Sequence, residues 1–436
     1  MPFALQESKD SVEYNKIKIT LLQGILQEIF FHPPDMIDYD RWVAEAIQQE
    51  KTNKNIDLDE NTFKQLSKEI RNEFVWLQPF FSLYLDKQIS EIQINPYSKI
   101  FVIHQGVIKK TDIRFTDNNQ VLRLIELLIL SSGRSLDDDH PTIDVHLPDG
   151  SRLVGFLPPL SPDGPSLIIR KTIMSGFSPR ALIENGTVSE SGMQFLQACV
   201  SANLNIMITG NRDAGKTTLL QSLASFIPED DRIISIEETA EIRINHENII
   251  RVETNSMFGT GIKEISSGHI LNKALRMHPD RMIIDEINGD NISDVLNAMN
   301  DDHTGFLSTI HANSPHDALS RLETFYFMAH PDLPIRIIRE QIATAIDLII
   351  HITCFQKITH RISSILEVSG MEGDRIILTE IFRFEQAGAT SKNKVEGILK
   401  PSGIRPLFSS QLEAAGFMLG PEIYGTSLGD IYKRRR

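Results

Sequence analysis

Cysteine, basic charge and long apolar runs are all scarce in this 436-residue sequence, and each scarcity removes a class of function. The two cysteines, Cys199 and Cys354, are far apart and form no CxxC pair. That spacing suggests neither a disulfide framework nor a thiolate metal site, and both lie in apolar stretches that read as core. Lys and Arg total 44 against 58 Asp and Glu, a net charge of −14. With no basic–aromatic stripe, this argues against a protein that tracks a nucleic-acid backbone, although an oligomer could still enclose a local basic channel. The stretch Val121–Leu130 carries Arg123 and Glu126 and is too short to span a bilayer, and the opening MPFALQESKD has no apolar signal core. The expectation is a soluble, cytoplasmic protein. The closing Lys433-Arg434-Arg435-Arg436 is either a solvated tail or a contact with anionic lipid or a partner.

What remains is ordinary globular composition, 41% hydrophobic and 23% charged, at a length that suits two or three domains. One stretch stands out: Leu204–Leu220, LNIMITGNRDAGKTTLL. An apolar run is followed by Gly210, four residues, then Gly215, Lys216, Thr217 and Thr218 and a leucine-rich segment. This is GxxxxGKT between a candidate buried strand and a candidate helix, the context a phosphate-binding loop requires. The glycines let the backbone curl so that successive N–H groups form an anion nest at a helix N-terminus. Lys216 would reach the β/γ-phosphates of ATP and Thr217 would ligate Mg²⁺. Arg212 and Asp213 are bulkier than the small residues such loops often carry.

Residues 1–75 read as a helical segment, with periodicity around Ile17–Ile29, around Trp42–Ile47 and over Leu58–Phe74, where Asn61 is a possible N-cap. No chemistry is visible there. From Leu77 to Ile173 the pattern is α+β: strands near 90–95, 100–103 and 109–115, a helix over 121–132, then strands 142–147, 151–157 and 166–170. His104-Gln105-Gly106-Val107 and Pro148-Asp149-Gly150 read as turns. Residues 174–191 read as a linker. From 192 to 424 strands and helices alternate, which predicts a parallel sheet covered on both faces. Its strands are expected near 204–209, 232–237, 249–254, 281–285 and 306–310, with helices near 265–277, 291–300 and 315–325. Added strands are expected at 347–354 and 376–385, with Met371–Asp374 as the turn between them. A short helix near 410–415 precedes the basic tail, 425–436.

ATP hydrolysis needs an acid to hold Mg²⁺ and a carboxylate to orient or deprotonate water. Ile283-Ile284-Asp285-Glu286 closes an apolar strand with paired acids, the layout of a Walker-B strand: Asp285 would act through Mg²⁺ and Glu286 on water. Ile236-Glu237-Glu238-Thr239-Ala240-Glu241 ends another strand with acids, either a solvated turn or a second acidic cluster beside the phosphates. Thr309-Ile310-His311-Ala312-Asn313 places a histidine at a third strand end, structural or functional.

Together these motifs resemble the RecA-like traffic ATPases of type II and type IV secretion and type IV pili, and within them the CpaF/TadA family of tight-adherence (Flp-type) pilus ATPases. The resemblance rests on Ile236–Glu241 as an aspartate box, ALRMHPDRMIIDEING (274–289) as the Walker-B segment and STIHANSP (308–315) as a histidine box. It extends to HPTIDVHLPDGSRLVGFLPPLSPDGPSLIIRK (140–171), to FRFEQAG (382–388) and to PSGIRPLF (401–408). It implies an α/β RecA-like domain preceded by a smaller α+β (PAS-like) domain and an N-terminal helical segment. It further implies a homohexamer with ATP and Mg²⁺ at subunit interfaces, Glu286 and Glu237 as catalytic acids and His311 sensing the γ-phosphate. Arg134, Arg152 and Arg170 match positions that clamp phosphates, although each could equally be a surface ion pair. The implied partner is an inner-membrane platform protein, with membrane contact only through partners and none with nucleic acid. Hydrolysis would drive motions of the N-terminal domain about the 174–191 linker.

The sequence departs from the family pattern at Asp285, where glycine is usual, and at Asn288, His146 and Gly268, where arginine is usual. Asp301-Asp302 replaces Thr-Gly. Several cations near the phosphates are therefore missing, and slow or partner-dependent turnover is expected. A VirB-type type IV secretion motor, a nucleotide-binding regulatory subunit with weak hydrolysis, and a RecA-type helicase are the alternatives. The FRFEQAG and GIRP segments speak against the first, Lys216, Thr217 and Glu286 against the second, and the charge against the third.

Overall fold

Helices α1 (Lys9–Phe31), α2 (Tyr39–Asn53) and α3 (Glu60–Leu85) come first along the chain, and their apolar stripes decide where they pack. Asp59 caps α3 by accepting from the amides of Asn61 and Thr62, both at 3.0 Å, so the cap lies two residues before Asn61. Leu66, Ile70, Phe74, Leu77, Phe81 and Tyr84 recur at helical spacing and are all buried. That stripe carries α3 past the expected break near residue 75 and straight through Pro79, whose ring costs the helix a hydrogen bond that burial of Phe80 and Phe81 offsets.

The computed structural model describes residues 9–31, 39–56, 58–104, 107–130, 141–171, 178–238, 241–254, 266–301, 304–355, 359–386 and 396–425. The chain divides into two compact units, Met1–Ile173 and Met174–Arg436.

In the first unit the helices are joined by β1 (Ile89–Ile94), β2 (Ile100–His104), β3 (Val107–Lys110), α4 (Asn118–Leu130), β4 (Thr142–His146), β5 (Arg152–Phe156) and β6 (Ser166–Arg170). The sheet order is β3-β2-β1-β6-β5-β4, and every pairing is antiparallel. Leu21, Ile25 and Ile29 of α1, Phe74 and Phe81 of α3, and Leu124 and Leu128 of α4 share one core with Ile92, Leu153 and Ile169 of the strands. The N-terminal helices are thus a layer of this α+β unit rather than a separate segment. Strand β3 starts two residues before the expected 109 and ends at Lys110. Beyond it Thr111 N–H bonds Ile100 O and Phe115 N–H bonds Tyr97 O, which closes a loop rather than a ladder. The expected turn residues Gln105 and Gly106 lie outside the described residues.

In the second unit α5 (Pro179–Glu184) and the start of α6 (Glu190–Ser201) occupy the stretch read as a linker. Ser178 and Ser189 cap them by accepting from Ala181 N–H and Gly192 N–H, which is why helix forms there; residues 174–177 lie outside the described residues. Next come β7 (Ile206–Gly210), α7 (Lys216–Ala224), β8 (Ile233–Glu237), β9 (Ile249–Glu253), α8 (Ser267–Leu275), β10 (Arg281–Ile284), α9 (Ile292–Asn300), β11 (Phe306–His311), α10 (Pro315–Ala329) and α11 (Ile335–Ala345). The chain then forms β12 (Leu348–Phe355), β13 (Thr359–Glu372), β14 (Arg375–Gln386), β15 (Gly397–Pro401), α12 (Ser409–Ala414) and α13 (Pro421–Tyr424).

The nine strands run β15-β14-β13-β12-β7-β11-β10-β8-β9. From β12 to β9 they are parallel, and β7, β8 and β10 are buried at every residue, as a sheet covered on both faces requires. From β12 to β15 they are antiparallel, so the sheet is mixed. The turn at 371–374 joins β14 to β13, a 14-residue strand absent from the sequence reading, as were β15 and α11. The alternation of β13, THRISSILEVSGME, is blurred because its two faces are both partly covered.

Candidate active site

Parallel order sets β7, β11, β10 and β8 side by side, so the residues leaving their carboxyl ends line one sheet edge. His311 pairs with Gly210, and Ile284 sits between Ser308 and Ile236, immediately before Asp285. The phosphate-loop candidates, the acid pair and the histidine are brought together there.

The two glycines of the loop serve different needs. Gly215 caps α7 at φ +95°, a left-handed turn. Gly210 is not left-handed; a Cβ there would lie 2.5 Å from the carbonyl oxygen of Ile352 on β12. Asp213 supplies a second left-handed residue at φ +58°, a conformation that Asp tolerates better than most side chains. Its bulk is therefore accommodated rather than anomalous. Arg212 and Asp213 are exposed, and Lys216, Thr217 and Thr218 are half-buried on the first turn of α7.

Lys216 Nζ donates to His311 Nδ1 at 3.0 Å and lies 3.3 Å from Asn211 O. The donation requires a neutral imidazole with its proton on Nε2, and burial and the lysine charge both lower the His311 pKa. Burial also lowers the Lys216 pKa, against the pull of Glu286, Asp285 and Asp213. Thr217 Oγ1 donates to Asp285 Oδ1 at 3.2 Å. Burial first, then the charges of Glu237 and Glu241, push Asp285 up to about 7. A hydroxyl beside a carboxylate is a hard-oxygen pair of the kind Mg²⁺ takes, and a divalent cation would relieve the strained charge of Asp285. The residues fit that ion. Among the described residues no group of three or more His, Cys, Asp or Glu forms a protein-only metal cage. Mg²⁺ held by one or two side chains plus phosphate oxygens needs none.

Glu286 is exposed at the same edge, and its peptide is fixed by Asn291 Nδ2, which donates to Glu286 O at 3.0 Å. Glu237 is its opposite. It is 1% exposed, and both carboxylate oxygens are taken, one by Ser235 Oγ at 2.8 Å and one by Ile242 N–H at 2.7 Å. Burial raises its pKa, and the two hydrogen bonds and Arg251 counter part of that rise. Thr239 and Ala240 lie outside the described residues. The STIHANSP segment continues into the N-cap of α10: Asp317 N–H donates to Ser314 Oγ at 3.1 Å, while Asp317 Oδ2 accepts from Asn313 N–H at 2.8 Å.

Over residues 77–395 the chain matches the family described as Type II/IV secretion system protein. It belongs to that family. The chain is an ATPase with the family's α/β architecture, a smaller N-terminal unit and a larger nucleotide-binding one. It is similar to VirB11 of Agrobacterium fabrum, 30% identical over 311 residues that make up 63% of this chain and 88% of VirB11. It is also similar to a putative conjugal transfer protein of Mycobacterium tuberculosis, 28% identical over 290 residues, 65% of this chain and 82% of that protein. Among solved structures, the ATPase DotB of Yersinia pseudotuberculosis matches with a TM-score of 0.48 and 16% identity, over 69% of this chain and 79% of DotB.

The arginines that the resemblance to secretion ATPases singled out lie in the first unit. Arg134 is outside the described residues. Arg152 pairs in register with Arg170 on β6, and His146 with Arg152, so His146, Arg152 and Arg170 form one row across three strands. Arg152 is bridged to Asp144 at 2.7 Å at the surface, and the exposed Arg170 is bridged at 3.0 Å to Glu91, which is buried. Gly268 is tightly placed: a Cβ would lie 2.0 Å from Asp294 Oδ2, whose partner oxygen accepts from Asn272 Nδ2 at 2.7 Å. Asp301 follows α9 as its C-cap, and Asp302 lies outside the described residues.

Some members of the site escaped the motifs of this secretion-ATPase family. Ser235 sits two residues before Glu237 on the same strand face, a period-two signal that was available. Asn291, just past the Walker-B segment, buttresses the 286–288 turn, while Thr309, inside the histidine box, donates from Oγ1 to Asp285 O, a contact the motif did not indicate. His360 on β13 contacts the loop at Ala214 and had no sequence signal, because its strand was not anticipated.

Proposed function

We propose that this family member is a hexameric motor coupling Mg·ATP hydrolysis to Flp-type pilus assembly. The observation that carries hydrolysis, rather than binding alone, is the cluster of Lys216, Thr217, Asp285, exposed Glu286 and His311 at one sheet edge. Lys216 holds the β/γ-phosphates, and Glu286, free to meet water, orients and deprotonates the nucleophile. Thr217 and Asp285 hold Mg²⁺, which when bound neutralises charge on the phosphate oxygens. Because Lys216 also faces His311, a phosphate that engages the lysine changes the histidine's partner, a direct route for γ-phosphate sensing. Glu237, with both oxygens occupied by Ser235 and Ile242, holds the end of β8 and sets the field at Asp285.

Arg152 and Arg170 act on the nucleotide of a neighbouring subunit in this reading. The Arg152–Asp144 bridge is exposed and weak enough to exchange for a phosphate, whereas Arg170 would have to leave the buried Glu91. His146 in place of a third permanent cation, together with Gly268, makes turnover slow or partner-dependent. In this reading the motor acts on an inner-membrane platform protein.

ATPase activity and particle size, measured together for wild type, Lys216→Ala and Glu286→Gln, test the site. Loss of turnover in both with an intact hexamer is expected, and unaffected hydrolysis in either overturns the assignment. Isolated wild-type turnover as fast as an unmodified family enzyme overturns the slow-motor reading.

A second reading, a VirB-type secretion motor, is favoured by the similarity to VirB11 and to a conjugal transfer protein. A deletion strain separates the two: loss of surface filaments supports the pilus, and loss of DNA or protein transfer with filaments intact supports the alternative.

A further inference from the structure

Strand β13 belongs to the antiparallel half of the sheet and carries none of the acid or histidine motifs, yet one of its side chains lies against the phosphate loop. His360 stands opposite Cys354 on β12, and β12 runs parallel beside β7, the strand that feeds the loop. The His360 Nδ1 lies 2.9 Å from the carbonyl oxygen of Ala214. A carbonyl can only accept, so the ring proton is on Nδ1 and the imidazole donates. Its other nitrogen faces Cys354 Sγ at 4.0 Å, and a Cβ on Gly215 would lie 3.4 Å from Nδ1. The ring is thus held on both sides, directly behind Gly215.

The peptide it grips is specific. Ala214 O and Gly215 N–H belong to one amide, which leads into left-handed Gly215 at φ +95° and lies one residue after left-handed Asp213 at φ +58°. In an anion nest the N–H groups point inward and the carbonyls outward, and a buried outward carbonyl needs a donor. A hydrogen bond to that carbonyl also polarises the amide and strengthens its N–H as a donor on the far side. Ala214 itself is fully buried, so water is a poor substitute.

We propose that His360 is a positioning residue for the nucleotide, holding the 214–215 peptide so that its N–H faces the phosphates. This rests on the nucleotide-binding reading of the 210–218 loop. The informative variants are His360→Phe, which keeps a ring without the donor, and His360→Asn, whose amide nitrogen can take the place of Nδ1. Binding of a fluorescent ADP analogue and steady-state ATP hydrolysis are measured on the full chain, with thermal unfolding without nucleotide alongside.

His360→Phe is expected to raise the Kd for the analogue and the KM for ATP by about five- to twentyfold, the scale of one lost hydrogen bond. Its kcat at saturation should stay within about twofold, and His360→Asn should return Kd to within about threefold of wild type, as one restored hydrogen bond predicts. Unchanged affinity in His360→Phe overturns the proposal, as does an equal loss in His360→Asn or a fall in kcat at constant KM. If His360→Phe does not fold, His360→Ala takes its place and must lose what His360→Asn retains. Lys216→Ala separates the two readings. If it binds like wild type, the loop assignment fails, whereas if it loses binding while His360→Phe does not, only the role of His360 fails.

Discussion

The nine-stranded sheet of residues 174–436 and the six-stranded sheet of residues 1–173 both concentrate charge, but with opposite sign and by different geometry. In the larger sheet, acids and the loop lysine stand where parallel strands end, one functional residue per strand terminus. In the smaller one, His146, Arg152 and Arg170 lie across the strands, brought level by antiparallel register. The first arrangement follows from topology alone, since every parallel strand must end at the same edge. The second depends on register, and a slip of one residue would turn each cation to the opposite face. The acid edge is thus robust to local change and the cation row is not.

The largest effects should come from the acid edge. Glu286→Gln should lower kcat by about 10²–10⁴ while leaving nucleotide affinity near wild type, the range for loss of a general base. Lys216→Ala should remove binding as well, read by the same fluorescent analogue. A retained kcat in Glu286→Gln would move the base elsewhere and unmake the contrast.

The cation row comes next. Arg170→Ala should cut turnover about a hundredfold, below the 10³–10⁵ of a complete arginine finger because Arg152 remains beside it. Particle size by light scattering should not change. If single-turnover hydrolysis is unaffected, the row serves only to pair Asp144 and Glu91.

Asp285 gives a pH signature peculiar to the acid edge. Its folded pKa, about 7, lies above that of a free carboxylate, mainly through burial and then through Glu237 and Glu241. The folded state therefore holds this proton more tightly than the unfolded chain, so its contribution lowers stability as pH rises from about 4 to about 7 and is constant above that. Magnesium must displace the same proton, so apparent Mg²⁺ affinity should rise through pH 7 and then level off. Asp285→Asn should flatten both curves, in thermal unfolding and in Mg²⁺ titration with nucleotide. Persistence of the pH dependence in that variant would assign it to another group.

The smallest effect expected is a gain. His146→Arg adds a permanent cation to the row and should raise turnover about two- to fivefold, less than 1.4 kcal/mol of barrier. No gain, with Arg170→Ala still harmful, would show that the row is already saturated.

The same geometry explains what could be read in advance. Gly215-Lys216-Thr217, Asp285-Glu286 and Thr309-Ile310-His311 each follow an apolar run, so a buried strand ending in a polar residue announces an exposed edge without any knowledge of neighbours. The level alignment of His146, Arg152 and Arg170 has no such mark, because nothing between residues 146 and 170 states which residue opposes which. Those positions came from resemblance. His360 was hidden twice: β13 has no clean alternation, and its contact with Ala214 spans 146 residues of chain. The extension of α3 through Pro79 was missed for the opposite reason, a strong local breaker overruled by tertiary burial of Phe80, Phe81 and Tyr84.

Gly210 carries a consequence for how this motif is searched for. The side chain forbidden there would strike the backbone of a strand about 140 positions downstream, well away from the phosphate cradle itself. The first glycine of the signature is thus an imprint of β12 lying alongside β7, and the second an imprint of the turn. A phosphate loop in which the adjoining strand stands farther off, or ends earlier, would be released from half of the pattern while cradling the same anion. In this molecule the absence of a methyl group at residue 210 reports on the sheet's strand order as much as on its ligand.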